Sequence, residues 1–309
     1  MSRVDEALRR AAATPRFAAT SGQLVERAAE PWERSVLEHY PQEEGTPLDP
    51  AASHDQAGGR SAVSTEHFSE RVVSPRFGKA YKGKLVTTGG APPASIEQYR
   101  RLAATLHHFQ AEQGLRRLTV SSSVPGEGKT LTVVNLAMTL SESYRRRVLL
   151  IDAQLRRPSI HDVFGISNEY GLCDALRPEP SELRLSRVSP MLWVLPAGSS
   201  GANPMEALAS ARMEQFLDEV AVSFDWILLD APPVGLMADA GLLARLTRAV
   251  IVVIGAGSTP YALVEKVVAE LGRENIIGTV LNRIEEDDTP WSAQYAGYSA
   301  PTGSSASSR

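Results

Sequence analysis

An α/β fold, with a mostly parallel sheet covered by helices on both faces, is predicted by three observations. Short apolar runs of strand length, such as Val148–Ile151, Trp226–Leu229 and Ala249–Ile254, alternate with amphipathic helical segments. The runs are continuously apolar, as strands buried on both faces are. Two of them end in a carboxylate and a third runs into a Gly-rich turn, which concentrates reactive groups at the carboxyl ends of the strands.

The predicted elements follow in chain order. Ser2 with Asp5 resembles a capping box, and Val4, Leu8 and Ala11–Ala12 give a short amphipathic helix ending by Pro15. Leu24, Ala28, Trp32 and Val36 recur every four residues, interrupted by Pro31. From Pro41 to Thr65 the chain is polar and rich in Pro, Gly, Ser, Asp and Glu, so it cannot bury enough surface to offset its ordering entropy. Residues 1–83 are therefore expected to form a largely flexible N-terminal segment. Its helices are either weakly ordered surface or a docking element.

The folded domain is expected over residues 84–284. Leu85-Val86 reads as a short strand, and a helix follows from about Ser95, its N-cap, to Gly114, with Leu102, Leu106 and Phe109 at helical spacing. Strand 117–122, helix 129–143, strand 148–153 and a short helix near 158–164 come next. After a variable section with Trp193-Val194-Leu195 as a strand come helix 204–222, strand 226–230 and helix 238–246. Strand 249–254, helix 260–273 and strand 277–283 complete the domain. Residues 285–309 read as a flexible tail, Gly/Ser-rich after the acidic run Glu285–Asp288, and carry Tyr295 and Tyr298.

Composition narrows the function. The chain has 309 residues, enough for two domains or for one large domain with tails, and its net charge of −4 gives no case for nucleic acid. The single cysteine, Cys173, excludes an intramolecular disulfide and reads as a buried small side chain. No apolar run reaches the roughly 18 residues needed to cross a bilayer, and the N-terminus lacks a secretion signal, so a cytoplasmic location is expected. The basic clusters Arg145–Arg147 and Arg156–Arg157 read as a solvated edge.

Ser121–Thr130 reads S-S-S-V-P-G-E-G-K-T between a predicted strand and a predicted helix. That context distinguishes a phosphate-binding loop from a chance match. Gly126 and Gly128 let backbone N–H groups converge on a phosphate, and the helix N-terminus favours an anion. Lys129 can reach outer phosphates, and the Thr130 hydroxyl suits a Mg²⁺ sphere. The binding run is Val124-Pro125-Gly126-Glu127-Gly128-Lys129-Thr130-Leu131, with Ser123 at the position usually held by the first Gly. Asp152 and Asp230 end two strands nearby, which fits a metal–nucleotide site where Mg²⁺ takes one or two carboxylates. Asp230-Ala231-Pro232-Pro233 stiffens one strand exit. Gln154 lies two residues past Asp152, on the same face if the strand continues. The fold is thus of the P-loop NTPase type.

These residues together resemble the bacterial tyrosine autokinases of capsule and exopolysaccharide systems, in their soluble cytoplasmic form, within the MinD/ParA-like P-loop ATPases. The resemblance covers about residues 84–284. It rests on P-G-E-G-K-T (125–130), V-L-L-I-D-A-Q-L-R-R-P (148–158), G-L-C-D-A-L (171–176), L-P-A-G…N-P-M-E (195–206), F-D-W-I-L-L-D-A-P-P-V (224–234) and I-I-G-T-V-L-N-R (276–283). Val124-Pro125 stands where partitioning and division-site ATPases carry a Lys.

The resemblance implies ATP and Mg²⁺ as cofactors, with Lys129, Asp152 and Asp230 catalytic and Thr130, Asp152 and Asp230 around the metal. Asp152 is the leading candidate for metal ligand or base. Tyr295 and Tyr298 are the implied phosphoacceptors. A membrane polysaccharide co-polymerase or chain-length regulator, with a cytoplasmic activating tail, is the implied partner and would recruit the kinase to the membrane. Three positions depart from the family pattern: Gln154 stands for a second Asp, Ala103 ends the subunit-association motif Glu97-x-x-Arg100-x-x-Ala103, and two tail tyrosines stand for a cluster. A homo-oligomer is therefore one option. A nucleotide-binding regulatory subunit and a MinD/ParA-like ATPase are the other readings.

Overall fold

The computed structural model describes residues 68–177, 179, 182–199, 204–236 and 239–284. Among them, eight strands form one sheet: β1 (Ser69–Val72), β2 (Arg117–Ser122), β3 (Val148–Asp152), β4 (Arg184–Ser189), β5 (Leu192–Leu195), β6 (Trp226–Asp230), β7 (Val250–Gly255) and β8 (Ile276–Asn282). Their order is β1-β4-β5-β3-β6-β2-β7-β8. From β5 to β8 all neighbours are parallel; β4 is antiparallel to β5, and β1 runs with β4. The sheet is therefore mostly parallel, as expected.

The helices are α1 (Pro93–Gln113), α2 (Lys129–Glu142), α3 (Ile160–Phe164), α4 (Leu172–Ala175), α5 (Pro204–Ala209), α6 (Ala211–Ala221), α7 (Asp239–Thr247) and α8 (Tyr261–Leu271). Strand alternation assigns them to two faces. Leu118, Val120, Val148, Leu150, Trp226 and Leu228 pack with α1, α2 and α3. Leu149, Ile151, Ile227 and Leu229 meet Met213 and Phe216 of α6 and Leu243 of α7, while Val250, Val252 and Ile254 meet Val264 and Val267 of α8. Helix α2 is buried on nearly all sides, so its run T-V-V-N-L-A-M-T-L carries no solvent face.

Several elements differ from the sequence expectation. Leu85-Val86 is not a strand. It lies in a buried turn held by Asn135, whose Nδ2 donates to Lys84 O at 2.9 Å and whose Oδ1 accepts from Val86 N at 3.0 Å. A side chain from α2 satisfies this backbone, so no ladder is needed. Helix α1 starts at Pro93, because proline at the first helical position needs no N–H partner, and Ser95 is not its cap. The predicted helix 204–222 is two helices around Ser210, whose hydroxyl donates to Ala207 O at 2.6 Å. Strand β4 was not anticipated, since Arg184 and Arg187 break its apolar pattern. Strand β1 and the 3₁₀ turn Lys79–Tyr81 lie before residue 84, where the sequence reading began the folded domain.

The expected front helices, the polar stretch 41–65 and the tail tyrosines fall outside the described residues. Cys173 is buried, as expected. Among the described residues no helix is long and apolar enough to cross a membrane. In the basic clusters Arg145, Arg156 and Arg157 are exposed, as expected of a solvated edge, while the Arg147 guanidinium lies over Trp193 and Phe224 and Arg156 pairs with Asp239 at 3.4 Å. Ala103 is fully buried against the core, so that position of the expected association motif faces inward.

Replacing Asn135 by Ala strands the buried Val86 N–H and removes the donor to the Lys84 carbonyl. Stability is expected to fall by about 1–3 kcal/mol, read by urea unfolding.

Candidate active site

Three neighbouring strands deliver the site. In the ladder Val120 stands opposite Asp230 and Asp230 opposite Asp152, so β6 and β3 end at one level and β2 runs two residues beyond it. The loop from Ser123 to Gly128 leaves β2 and enters α2 at Lys129. Gly126 and Gly128 have φ of 86° and 95°, a region open to glycine, and a Cβ on Gly128 would run into the Asn282 amide. Those two residues thus keep the loop backbone bare where a phosphate would approach.

The loop is braced from beneath by Glu127, which is only 3 % exposed. Its Oε2 accepts from Val124 N at 2.8 Å, and its Oε1 accepts from Gly255 N at 3.0 Å and from the Thr259 hydroxyl. Asn282 Nδ2 donates to Glu127 O at 2.7 Å, and the Arg283 guanidinium donates to Gly126 O. Glu127 therefore holds the loop instead of presenting itself to a ligand. Leu131 likewise turns its side chain to the core. Lys129 is largely buried at the first position of α2, and its charge acts on Asp230.

The two acids differ in their surroundings. Asp152 accepts three backbone N–H bonds, from Gln154 at 3.0 Å to Oδ1 and from Ser159 and Ile160 at 2.8 and 3.0 Å to Oδ2. Asp230 Oδ2 accepts from the Thr130 hydroxyl at 2.6 Å and from Gln154 Nε2 at 2.6 Å, while its buried Oδ1 has no partner. Burial pushes the Asp230 carboxyl up to about 7, with the Lys129 ammonium opposing and the Asp152 charge adding. Burial also raises Asp152, against its three backbone donors and the His161 charge.

Thr130, Asp230 and Asp152 fit a Mg²⁺ ion better than an all-protein metal cage. Among the described residues no group of three His, Cys, Asp or Glu converges on one point. Two acids and a hydroxyl suit a cation that keeps waters and takes oxygens from a nucleotide. The partnerless, buried Asp230 Oδ1 is an acceptor that such an ion would satisfy. The predicted residues Lys129, Thr130, Asp152 and Asp230 are thus brought together, whereas Tyr295 and Tyr298 lie outside the described residues. Sequence reasoning missed the brace formed by Thr259, Asn282 and Arg283, which stand more than 125 residues from the loop. The run L-N-R at the end of β8 was the available signal.

Comparison with known proteins agrees with this geometry. The family model of the CobQ/CobB/MinD/ParA nucleotide-binding domain matches residues 118–294. The tyrosine-protein kinase YwqD of Bacillus subtilis is 30% identical over 190 residues, covering 60% of this chain and 80% of that protein. The kinase domain of the Escherichia coli tyrosine kinase ETK superposes with a TM-score of 0.57 at 29% identity, over 62% of this chain and 77% of that one. The VpsO kinase domain does so with a TM-score of 0.53 at 30% identity, over 63% of this chain and 100% of that domain.

Glu127→Ala unpins three donors and is expected to cost about 2–3 kcal/mol in urea unfolding and to weaken nucleotide binding. Because Asp230 titrates higher in the fold than in the unfolded chain, the native state holds a proton that the unfolded state has released between about pH 4 and 7. Its contribution to stability therefore falls as pH rises through that window. In EDTA, Asp230→Asn, which keeps an acceptor oxygen, is expected to be more stable than wild type at pH 8. That advantage should vanish below about pH 4 in denaturation midpoints.

Proposed function

The chain belongs to the CobQ/CobB/MinD/ParA nucleotide-binding family, and within it to the bacterial tyrosine-protein kinases; from that premise we propose that it transfers the terminal phosphoryl group of ATP to tyrosines of its own C-terminal tail, in the service of capsule or exopolysaccharide assembly. The observation that carries this reading is the convergence of Lys129, Thr130, Asp152 and Asp230 at the ends of three adjacent strands. Phosphoryl transfer needs alignment, charge neutralisation and a proton acceptor. In this proposal the backbone of residues 126–130 and the Lys129 ammonium hold the phosphates. Thr130 and Asp230 hold Mg²⁺, which when bound neutralises charge on the phosphates. Asp152, fixed by three N–H donors and raised by burial, takes the proton of the tyrosine hydroxyl.

Tyr295 and Tyr298 are the proposed acceptors, since they lie 13 and 16 residues along the sequence from the end of β8 at Asn282. A membrane polysaccharide co-polymerase with a cytoplasmic activating tail is the proposed partner, and would bring the protein to the inner face of the membrane. One observation favours a second reading, a regulatory nucleotide-binding subunit: Gln154, which cannot act as a base, stands against both Thr130 and Asp230.

Incubation with labelled ATP, Mg²⁺ and the partner's cytoplasmic tail separates the two. Phosphotyrosine is expected in the wild type and absent in Tyr295→Phe/Tyr298→Phe. Lys129→Ala is expected to lower it by on the order of 10²-fold or more, the usual scale for losing a group that stabilises transition-state charge. Saturable binding of Mg-ATP without phosphotyrosine would instead establish the regulatory reading, and steady phosphate release without protein labelling would mark a MinD/ParA-like ATPase.

A further inference from the structure

The side chain of Gln154 has no role in the chemistry above, yet it is almost fully buried at the centre of the site. Its backbone N–H is tied to Asp152 Oδ1 at 3.0 Å, which fixes where the side chain starts. From there Nε2 reaches Thr130 Oγ1 at 2.9 Å and Asp230 Oδ2 at 2.6 Å. One nitrogen thus contacts the Thr130 hydroxyl and one of the two Asp230 carboxylate oxygens, so a Mg²⁺ ion drawing on both side chains would meet it. The orientation of the amide follows from its neighbours: with Oε1 in place of Nε2, an acceptor would face the Asp230 carboxylate.

An amide N–H₂ offers these oxygens what a cation offers, positive charge, but it cannot itself be a metal ligand. We propose that Gln154 is a built-in competitor for Mg²⁺, its amide nitrogen holding the point between Thr130 and Asp230 that the ion must take. The inference rests on the reading of the site as a Mg-nucleotide site. Both hydrogen bonds of Nε2 must break before Thr130 Oγ1 and Asp230 Oδ2 can turn to a metal, and one of them is charge-assisted. The result is a site that accepts the metal only at higher Mg²⁺ concentration than its oxygens alone would demand. Binding is thereby tied to the nucleotide, whose phosphates supply the additional oxygens.

The test uses the full chain, a fluorescent adenine nucleotide and a Mg²⁺ titration, with binding read by fluorescence and no phosphoryl transfer required. Gln154→Ala and Gln154→Met are compared with wild type; Met keeps the volume without the donors, so it stands in if the Ala variant folds poorly. Both are expected to lower the half-saturating Mg²⁺ concentration roughly tenfold, the size of one charge-assisted hydrogen bond. Nucleotide binding in EDTA should stay unchanged. An equal or higher Mg²⁺ requirement in both variants would overturn the competitor role while leaving the nucleotide site intact. A wild type whose nucleotide binding does not respond to Mg²⁺ at all would overturn it together with the proposed function.

Discussion

Two carboxylates side by side in the middle of a buried sheet set the terms for everything around them. Asp152 and Asp230 are register partners on adjacent parallel strands and have no exposed surface. At a strand spacing of about 5 Å and an effective dielectric near 20, two unit charges repel by roughly 3 kcal/mol, before any cost of desolvation. The chain answers with donors from four directions. Three backbone N–H groups converge on Asp152, and the Thr130 hydroxyl, the Gln154 amide and the Lys129 ammonium act on Asp230. The raised pKa of Asp230 shows that these donors do not cancel the burial completely. That residual demand for positive charge is what the proposed metal–phosphate group would meet.

The loop opposite is held by a separate set of contacts. Glu127 links it to the end of β7 through Gly255 and Thr259, and Asn282 and Arg283 grip its carbonyls from the end of β8. Carbonyls occupied on one side leave the N–H groups of the same peptides free to point to the other, which is the orientation an anion needs. Arg283 adopts φ of 63° to make its contact, an unusual conformation for a non-glycine residue, and the chain leaves the sheet immediately after it. Loop and tail root therefore share a hydrogen-bonded junction.

Much of this was legible in the sequence, and the limits follow from physics. Continuous apolar strands such as Leu149–Ile151 and Leu228–Leu229 announced themselves because both faces are buried, and their terminal acids stood out against that background. β4 was hidden because it lies toward the edge of the sheet, where Arg184 and Arg187 can reach outward. Leu85-Val86 misled for the opposite reason: apolar residues were buried as expected, but a single distant side chain, Asn135, replaced the ladder. Local pattern reports burial well. It does not report which partner satisfies the backbone, so the braces on Glu127 and the donors on Asp230 could not be read from spacing.

Ser123 shows the same distinction within the motif itself. Position 123 of the usual phosphate-loop pattern carries glycine, and its absence reads as a weakness of the match. Yet Ser123 does not have a positive φ, so the backbone there asks for no glycine. Its carbonyl accepts from Gly235 N at 3.3 Å, and a Cβ on Gly235 would stand 2.8 Å from that oxygen. The close approach is made possible by the partner segment after Asp230-Ala231-Pro232-Pro233, not by the loop. Ser121 reinforces the contact, its hydroxyl donating to Pro232 O at 2.6 Å. The glycine demanded by this packing stands across the site, at Gly235 in the turn that follows the second acid. Ser123 therefore costs the motif nothing: the steric requirement of this contact falls on Gly235, where the two segments touch and bring the loop and Asp230 to one side of the site.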